Sequence, residues 1–129
     1  MIVLYILMRT DLDSMNPGKA MAQSNHAYGA MKKVIRSNLP MQPKYHEWMN
    51  STDQEFGTTL VLGGSEAKID NAMAKAVYHA NVLAGWVHDP SYPISDGAVT
   101  HHLPLNTCAF VFGTKEDCRS VVAGMELHP

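Results

Sequence analysis

The sequence predicts an α/β fold: a three-layer α/β/α sandwich around a four-stranded mixed sheet, with three parallel strands and the last one antiparallel. Three observations predict it. Residues 2–8 are apolar throughout, the mark of a strand covered on both faces. Helical patterns separate the first three strand patterns, and such crossovers make those strands parallel and put helices on both faces. The hairpin that a ferredoxin-like sheet would need after the first helix is absent. With 129 residues the chain is read as a single domain, 1–129, able to bury a core without staples.

The first helix is expected over residues 17–36. Asn16 is a good N-cap, and Pro17 at the first helical position loses only an N–H that has no intrahelical partner. The basic cluster Lys32, Lys33 and Arg36 closes it, where positive charge complements the helix dipole, and Ser37-Asn38-Leu39-Pro40 ends it. Residues 43–50, with Tyr45, Trp48 and Met49, predict a short packing helix, and Asp53-Gln54-Glu55 an exposed loop. Thr58–Leu62 is the second strand. Gly63-Gly64-Ser65 then turns into an amphipathic helix whose Ile69, Ala72, Met73, Ala76, Val77 and Ala80 recur at helical spacing. Neither a Walker nor a dinucleotide spacing surrounds the double glycine, so it is not a phosphate loop. Val82–Val87 is the third strand. Residues 88–106, with three prolines, read as a long functional loop. Cys108–Phe112 is the last strand, and Thr114-Lys115-Glu116-Asp117 reads as a capping box for a C-terminal helix.

Composition narrows the function classes. The formal charge of −2 argues against a broad nucleic-acid footprint, so an RNA ligand would be met by a local patch. Lys32, Lys33 and Arg36 are the best candidates for it. Cys108 and Cys118 match no zinc spacing and are too few for a disulfide framework, which fits a reducing, cytoplasmic setting. The apolar start is too short to span a bilayer and lacks a basic leader segment, so no membrane partner is expected.

Lys19, Gln23 and His26 fall at i, i+4 and i+7 of the first helix, within a wedge roughly 60° wide at the rim of its apolar face. A lysine in the first turn opposes the helix dipole at a cost of a few tenths of a kcal/mol, roughly, so another role favours it. Asp89 closes the third strand, and Asp11 follows the first. In parallel α/β sheets ligands bind outside these carboxyl ends. His88, Asp89, Asp96, His101 and His102 flank the long loop, and a metal-dependent hydrolase built on them is one alternative, although their spacing follows no metal motif.

Arg9-Thr10-Asp11-Leu12 followed by Gly18-Lys19-x-x-Ala22-Gln23-x-x-His26-Ala27 resembles the start of the type II peptidyl-tRNA hydrolases. The resemblance implies the same layers and strands, and hydrolysis of the ester between a peptide and the tRNA 3′ end without a cofactor. It implies a catalytic aspartate at Asp89, with Lys19 stabilising an oxyanion or holding a phosphate and forming an ion pair with Asp89. Gln23, His26, Arg9 and Asp11 are then expected to contact substrate. A family threonine is expected four residues after Asp89, where Pro93 stands. It reappears as Thr100, four residues before Pro104, which implies an insertion near Pro90 to Gly97. Counting on to the second family threonine gives Cys108, with Thr107 one position short. Strand alternation puts Thr107 and Cys108 on opposite faces; if the strand keeps the family register the pocket receives a thiol, and which of the two faces it is left open. A module of this fold with impaired catalysis that binds RNA or protein is the other alternative, and a homodimer is left open.

Overall fold

The computed structural model describes residues 1–129. In chain order the elements are β1 (Ile2–Arg9), α1 (Pro17–Arg36), a 3₁₀ turn (Leu39–Met41), α2 (Gln42–Met49), β2 (Thr58–Gly64), α3 (Glu66–Ala76), β3 (Leu83–Asp96), β4 (Val99–Thr114), α4 (Lys115–Cys118) and β5 (Glu126–Leu127). The strands form one open mixed sheet in the order β3-β4-β1-β2-β5. β1 pairs parallel with β2 and antiparallel with β4, and β4 pairs antiparallel with β3. The first three strands thus share one direction and the fourth opposes them, as expected. The sheet has five strands and not four. β5 is two residues long and pairs antiparallel with Leu62 and Gly63, too short to leave a periodic signal in the sequence.

All eight residues of β1 are buried, because the strand has neighbours on both edges and apolar clusters on both faces. Ile2, Leu4, Ile6 and Met8 join Ala20, Ala27, Met31 and Ile35 of α1 and Tyr45 and Trp48 of α2. Val3, Tyr5 and Leu7 join Ile69, Ala72 and Ala76 of α3 with Cys118 and Val121. α1 begins as its sequence requires: the Asn16 side chain accepts a hydrogen bond from the Lys19 N–H at 2.9 Å. The expected C-terminal helix is only one turn. Thr114 Oγ1 caps it by accepting from Asp117 N–H at 3.0 Å.

The largest correction concerns residues 88–106, which are not a loop. β3 and β4 continue as a two-stranded arm beyond Met8↔Cys108, the last pair that β1 makes with β4. The arm turns at Gly97-Ala98. Gly97 has φ +60°, the sign that the first position of a type II′ hairpin turn demands. Its prolines fit because β3 is an edge strand and because Pro90 falls in a bulge between Asp89 and Tyr92.

Trp48 fixes the α2 side of the sheet. Its indole N–H donates to the Thr58 carbonyl at 2.8 Å and its ring meets Phe112 edge-on at 6.1 Å. Gly57 is buried against it, and a Cβ there would overlap the Trp48 ring and its carbonyl oxygen. Gly57→Ala is therefore expected to cost about 1–3 kcal/mol of stability through overpacking. Urea unfolding measures it, and an unchanged midpoint would contradict this packing.

Candidate active site

The carboxyl ends of β1 and β2 carry a charged clamp. Arg9 is buried, with Nε 2.8 Å from Asp11 Oδ1 and Nη1 3.0 Å from Glu66 Oε2. Nη1 also donates to the Asn106 carbonyl at 3.1 Å, and Asp11 Oδ2 accepts from the Glu66 N–H at the start of α3. One guanidinium thus ties β1, α3 and β4 together at the mouth of the sheet. Its hydrogen bond holds the Asp11 carboxyl below the usual carboxylate range, against burial, with help from the Glu66 N–H. Expected to contact substrate, Arg9 and Asp11 have their polar atoms engaged in this clamp.

Gln23 lies in the wedge foreseen on α1 and is buried. Its Nε2 donates to Asp89 Oδ2 at 2.8 Å, and its Oε1 accepts from Thr107 Oγ1 at 2.6 Å. Asp89 Oδ1 accepts from the Ser91 N–H at 2.9 Å. Burial pushes the Asp89 carboxyl upward. The Ser91 and Gln23 hydrogen bonds and the charges of His26 and His88 outweigh it and hold Asp89 below its ordinary range.

The alternation expected for Thr107 and Cys108 fails at this point. The register passes from Val87↔Cys108 to His88↔Asn106, which leaves Thr107 as the extra residue of a bulge. Both side chains therefore turn toward α1. The Cys108 thiol donates to the Gln23 carbonyl at 3.6 Å inside the core, where burial pushes its pKa up to about 12. The hydroxyl facing the Gln23 amide belongs to Thr107, and the thiol that the family register would place in the pocket does not stand there.

Lys19 makes no ion pair with Asp89. The lysine and arginine ion pairs are Arg9–Asp11 and Arg9–Glu66. Instead Lys19 Nζ donates to the Pro93 carbonyl at 2.7 Å and the Ser14 carbonyl at 3.2 Å, and sits 5.0 Å from the centre of the Tyr92 ring. Lys19 and Gln23 are one turn apart on α1, so the cation and the carboxylate flank one stretch of helix. Thr100 is not brought to Asp89. It pairs with Ser95 near the exposed tip of the arm, six positions along β3 from Asp89, or about 20 Å.

Two clefts of similar size border β3. One, of about 340 Å³, is lined mainly by apolar residues of α3 and β3, including Met73, Val77 and Trp86. The other, of about 330 Å³, brings Asp89, His26 and His88 together beside Ala30 and Pro90; it combines a carboxylate with two imidazoles, whereas the first holds His79 as its one titratable side chain. The arm histidines scatter. His101 faces Asp96 at 3.6 Å, His102 lies 3.3 Å from Ser91 Oγ, and His88 lies 2.9 Å from Asn106 Oδ1. No three His, Cys, Asp or Glu side chains converge as a metal would need. Lys32, Lys33 and Arg36 are exposed at the far end of α1, about 10–15 Å along the helix from His26. Tyr92, which touches Lys19, was not singled out in the sequence, and of Thr107 and Cys108 it is Thr107 whose hydroxyl meets the Gln23 side chain. Gly97 is the one residue that marks the turn of the arm, a weak signal beside three prolines, and no residue pattern marks the bulge.

No helix is long and apolar enough to cross a membrane. No curated protein matches the chain closely. The family model described as peptidyl-tRNA hydrolase PTH2 matches residues 2–127, so that the helix bearing Lys19 and Gln23, the strand end at Asp89 and the arm all lie inside the match, and the chain belongs to this family.

Proposed function

We propose that the chain hydrolyses the ester bond of peptidyl-tRNA, with Asp89 and Lys19 as catalytic residues. The observation that carries this reading is the chain of hydrogen bonds Thr107–Gln23–Asp89 beside an open cleft. Hydrolysis needs a water held against the ester carbonyl and a cation where negative charge develops. Asp89 retains its charge, and each carboxylate oxygen uses one hydrogen bond internally, leaving lone pairs for a water. The water oxygen bonds to the carbonyl carbon, its proton passes to Asp89, and the C–O bond to the terminal ribose breaks with a proton returned to the leaving oxygen. Lys19 stabilises the oxyanion or a phosphate of the 3′ end. The core clusters on alternate sheet faces support reading the domain as the three-layer α/β/α arrangement of the family. A cytoplasmic protein acting on products of translation is the setting in which this substrate occurs. Thr100 and Cys108 take no part in this reading.

His26 lines the cleft, and its imidazole face suits the 3′ adenosine. Beyond it Ala30 and Lys33 continue the stripe of Lys19, Gln23 and His26 along α1, whereas Lys32 points to another side. Of the basic cluster, Lys33 is therefore the residue in line with the cleft for an RNA phosphate.

The test is turnover of a purified peptidyl-tRNA by folded variants. Asp89→Asn is expected to lose at least about 10²-fold in kcat, and Lys19→Ala a similar amount. Thr107→Val leaves the Gln23 carbonyl unpaired and its amide free to turn from Asp89, an expected loss of about tenfold. Because Asp89 stays ionised below the ordinary carboxylate range, kcat/KM is expected to stay level through that range and fall only at lower pH. An acid limb at or above the usual value, or full activity in Asp89→Asn, would contradict the mechanism. Lys33→Ala is expected to lower the log–log salt slope of RNA binding by about one unit and Lys32→Ala by less. Equal slopes in both variants would remove the stripe as an RNA track.

A further inference from the structure

We propose that Tyr92, on the arm, is a positioning residue that seats the Lys19 ammonium for the reaction, a role that rests on the hydrolase reading above. Tyr92 is fully buried, although the arm from Ser95 to Pro104 is exposed. Its hydroxyl lies 3.1 Å from Ser14 Oγ and 3.8 Å from the Met15 sulfur, which pins the arm to the segment entering α1. The face of the same ring lies 5.0 Å from Lys19 Nζ, within the range of a cation–π contact. The carbonyls of Pro93 and Ser14 complete the seat at 2.7 and 3.2 Å.

The composition of this seat decides what Lys19 can do. A carboxylate partner would neutralise the ammonium, as Asp11 and Glu66 do for Arg9. Two carbonyl dipoles and a ring face hold it without cancelling its charge. An ammonium has three N–H donors and the seat uses two, so one remains for an anionic oxygen of the substrate. The lysine stem is flexible, and without a wall on this side its head has no fixed direction. Pro93, four residues after Asp89 and within the stretch read as an insertion, contributes its backbone carbonyl to the cation. The seat therefore depends on the extended arm of this chain.

The experiment measures kcat and KM on a purified peptidyl-tRNA for Tyr92→Leu, Tyr92→Phe, Lys19→Ala and the double variant Lys19→Ala, Tyr92→Leu. Tyr92→Leu is expected to lower kcat about tenfold with a smaller change in KM, and Tyr92→Phe, which keeps the ring, to remain within about threefold of wild type. In the Lys19→Ala background Tyr92→Leu is expected to add no further loss, because the two act through one contact. Equal losses with and without Lys19 would mean that Tyr92 only supports the fold, and would overturn the proposal. A second readout does not depend on turnover. The ε-methylene protons of Lys19 should be shifted upfield by the ring in wild type and Tyr92→Phe, and should lose that shift in Tyr92→Leu. An unshifted Lys19 in wild type overturns the seat. Full activity in Lys19→Ala would overturn the roles of both residues, whereas full activity in Tyr92→Leu beside an inactive Lys19→Ala overturns the seat alone.

Discussion

The buried side chain of Gln23 is the constraint on which the site depends. An amide out of water must satisfy both its carbonyl and its NH₂ group, and an unmet partner costs about 1–3 kcal/mol. Here the carbonyl accepts a hydrogen bond from the Thr107 hydroxyl and the NH₂ donates to Asp89. The orientation is fixed by Asp89, since an ionised carboxylate can only accept and so must face the NH₂, while the Thr107 hydroxyl turns its proton to the carbonyl. Gln23 thus locks three elements into one register: α1, the bulge in β4 and the end of the sheet-bound part of β3. Moving any one of them by a residue would strand a buried polar group.

The two cations at the mouth of the sheet are handled in opposite ways. Arg9 is buried among carboxylates and spends its charge on joining strands to the start of α3. Lys19 touches only neutral acceptors and a ring face, so its charge remains available. Near it, Asp89 is held ionised by N–H donors and without a direct cation partner. For the proposed hydrolysis, a carboxylate and an ammonium that do not neutralise each other are better placed to orient water and meet negative charge than the ion pair that the sequence suggests.

Much of this was legible beforehand, for physical reasons. An uninterrupted apolar run of seven residues such as 2–8 is too short for a typical buried helix and fits a strand buried on both faces, and the Asn16-Pro17 start of α1 follows from which N–H groups a helix leaves unpaired. Gln23 and Lys19 were legible as a wedge on one helix. Three features were not. β5 is too short for periodicity to register. The arm was hidden because Pro90, Pro93 and Pro104 demote a strand reading, and a proline is harmless only where an edge or a bulge removes the need for its N–H, which is a tertiary fact. The bulge at Thr107 changes which residue faces the helix, and a count along the sequence cannot see an unpaired residue. Hence the count along the sequence left Thr107 and Cys108 undecided, and Thr100, the spacing match, lies out on the arm.

The central claim is that this chain breaks the peptidyl ester with a water oriented at Asp89. Turnover of a purified peptidyl-tRNA in ¹⁸O-labelled water tests it most directly, with the released peptide analysed by mass. Hydrolysis at the carbonyl carbon predicts intact tRNA and one ¹⁸O atom in the new peptide carboxylate for each ester cleaved. Release without label, label on the tRNA ribose, or no cleavage by the folded protein would contradict it.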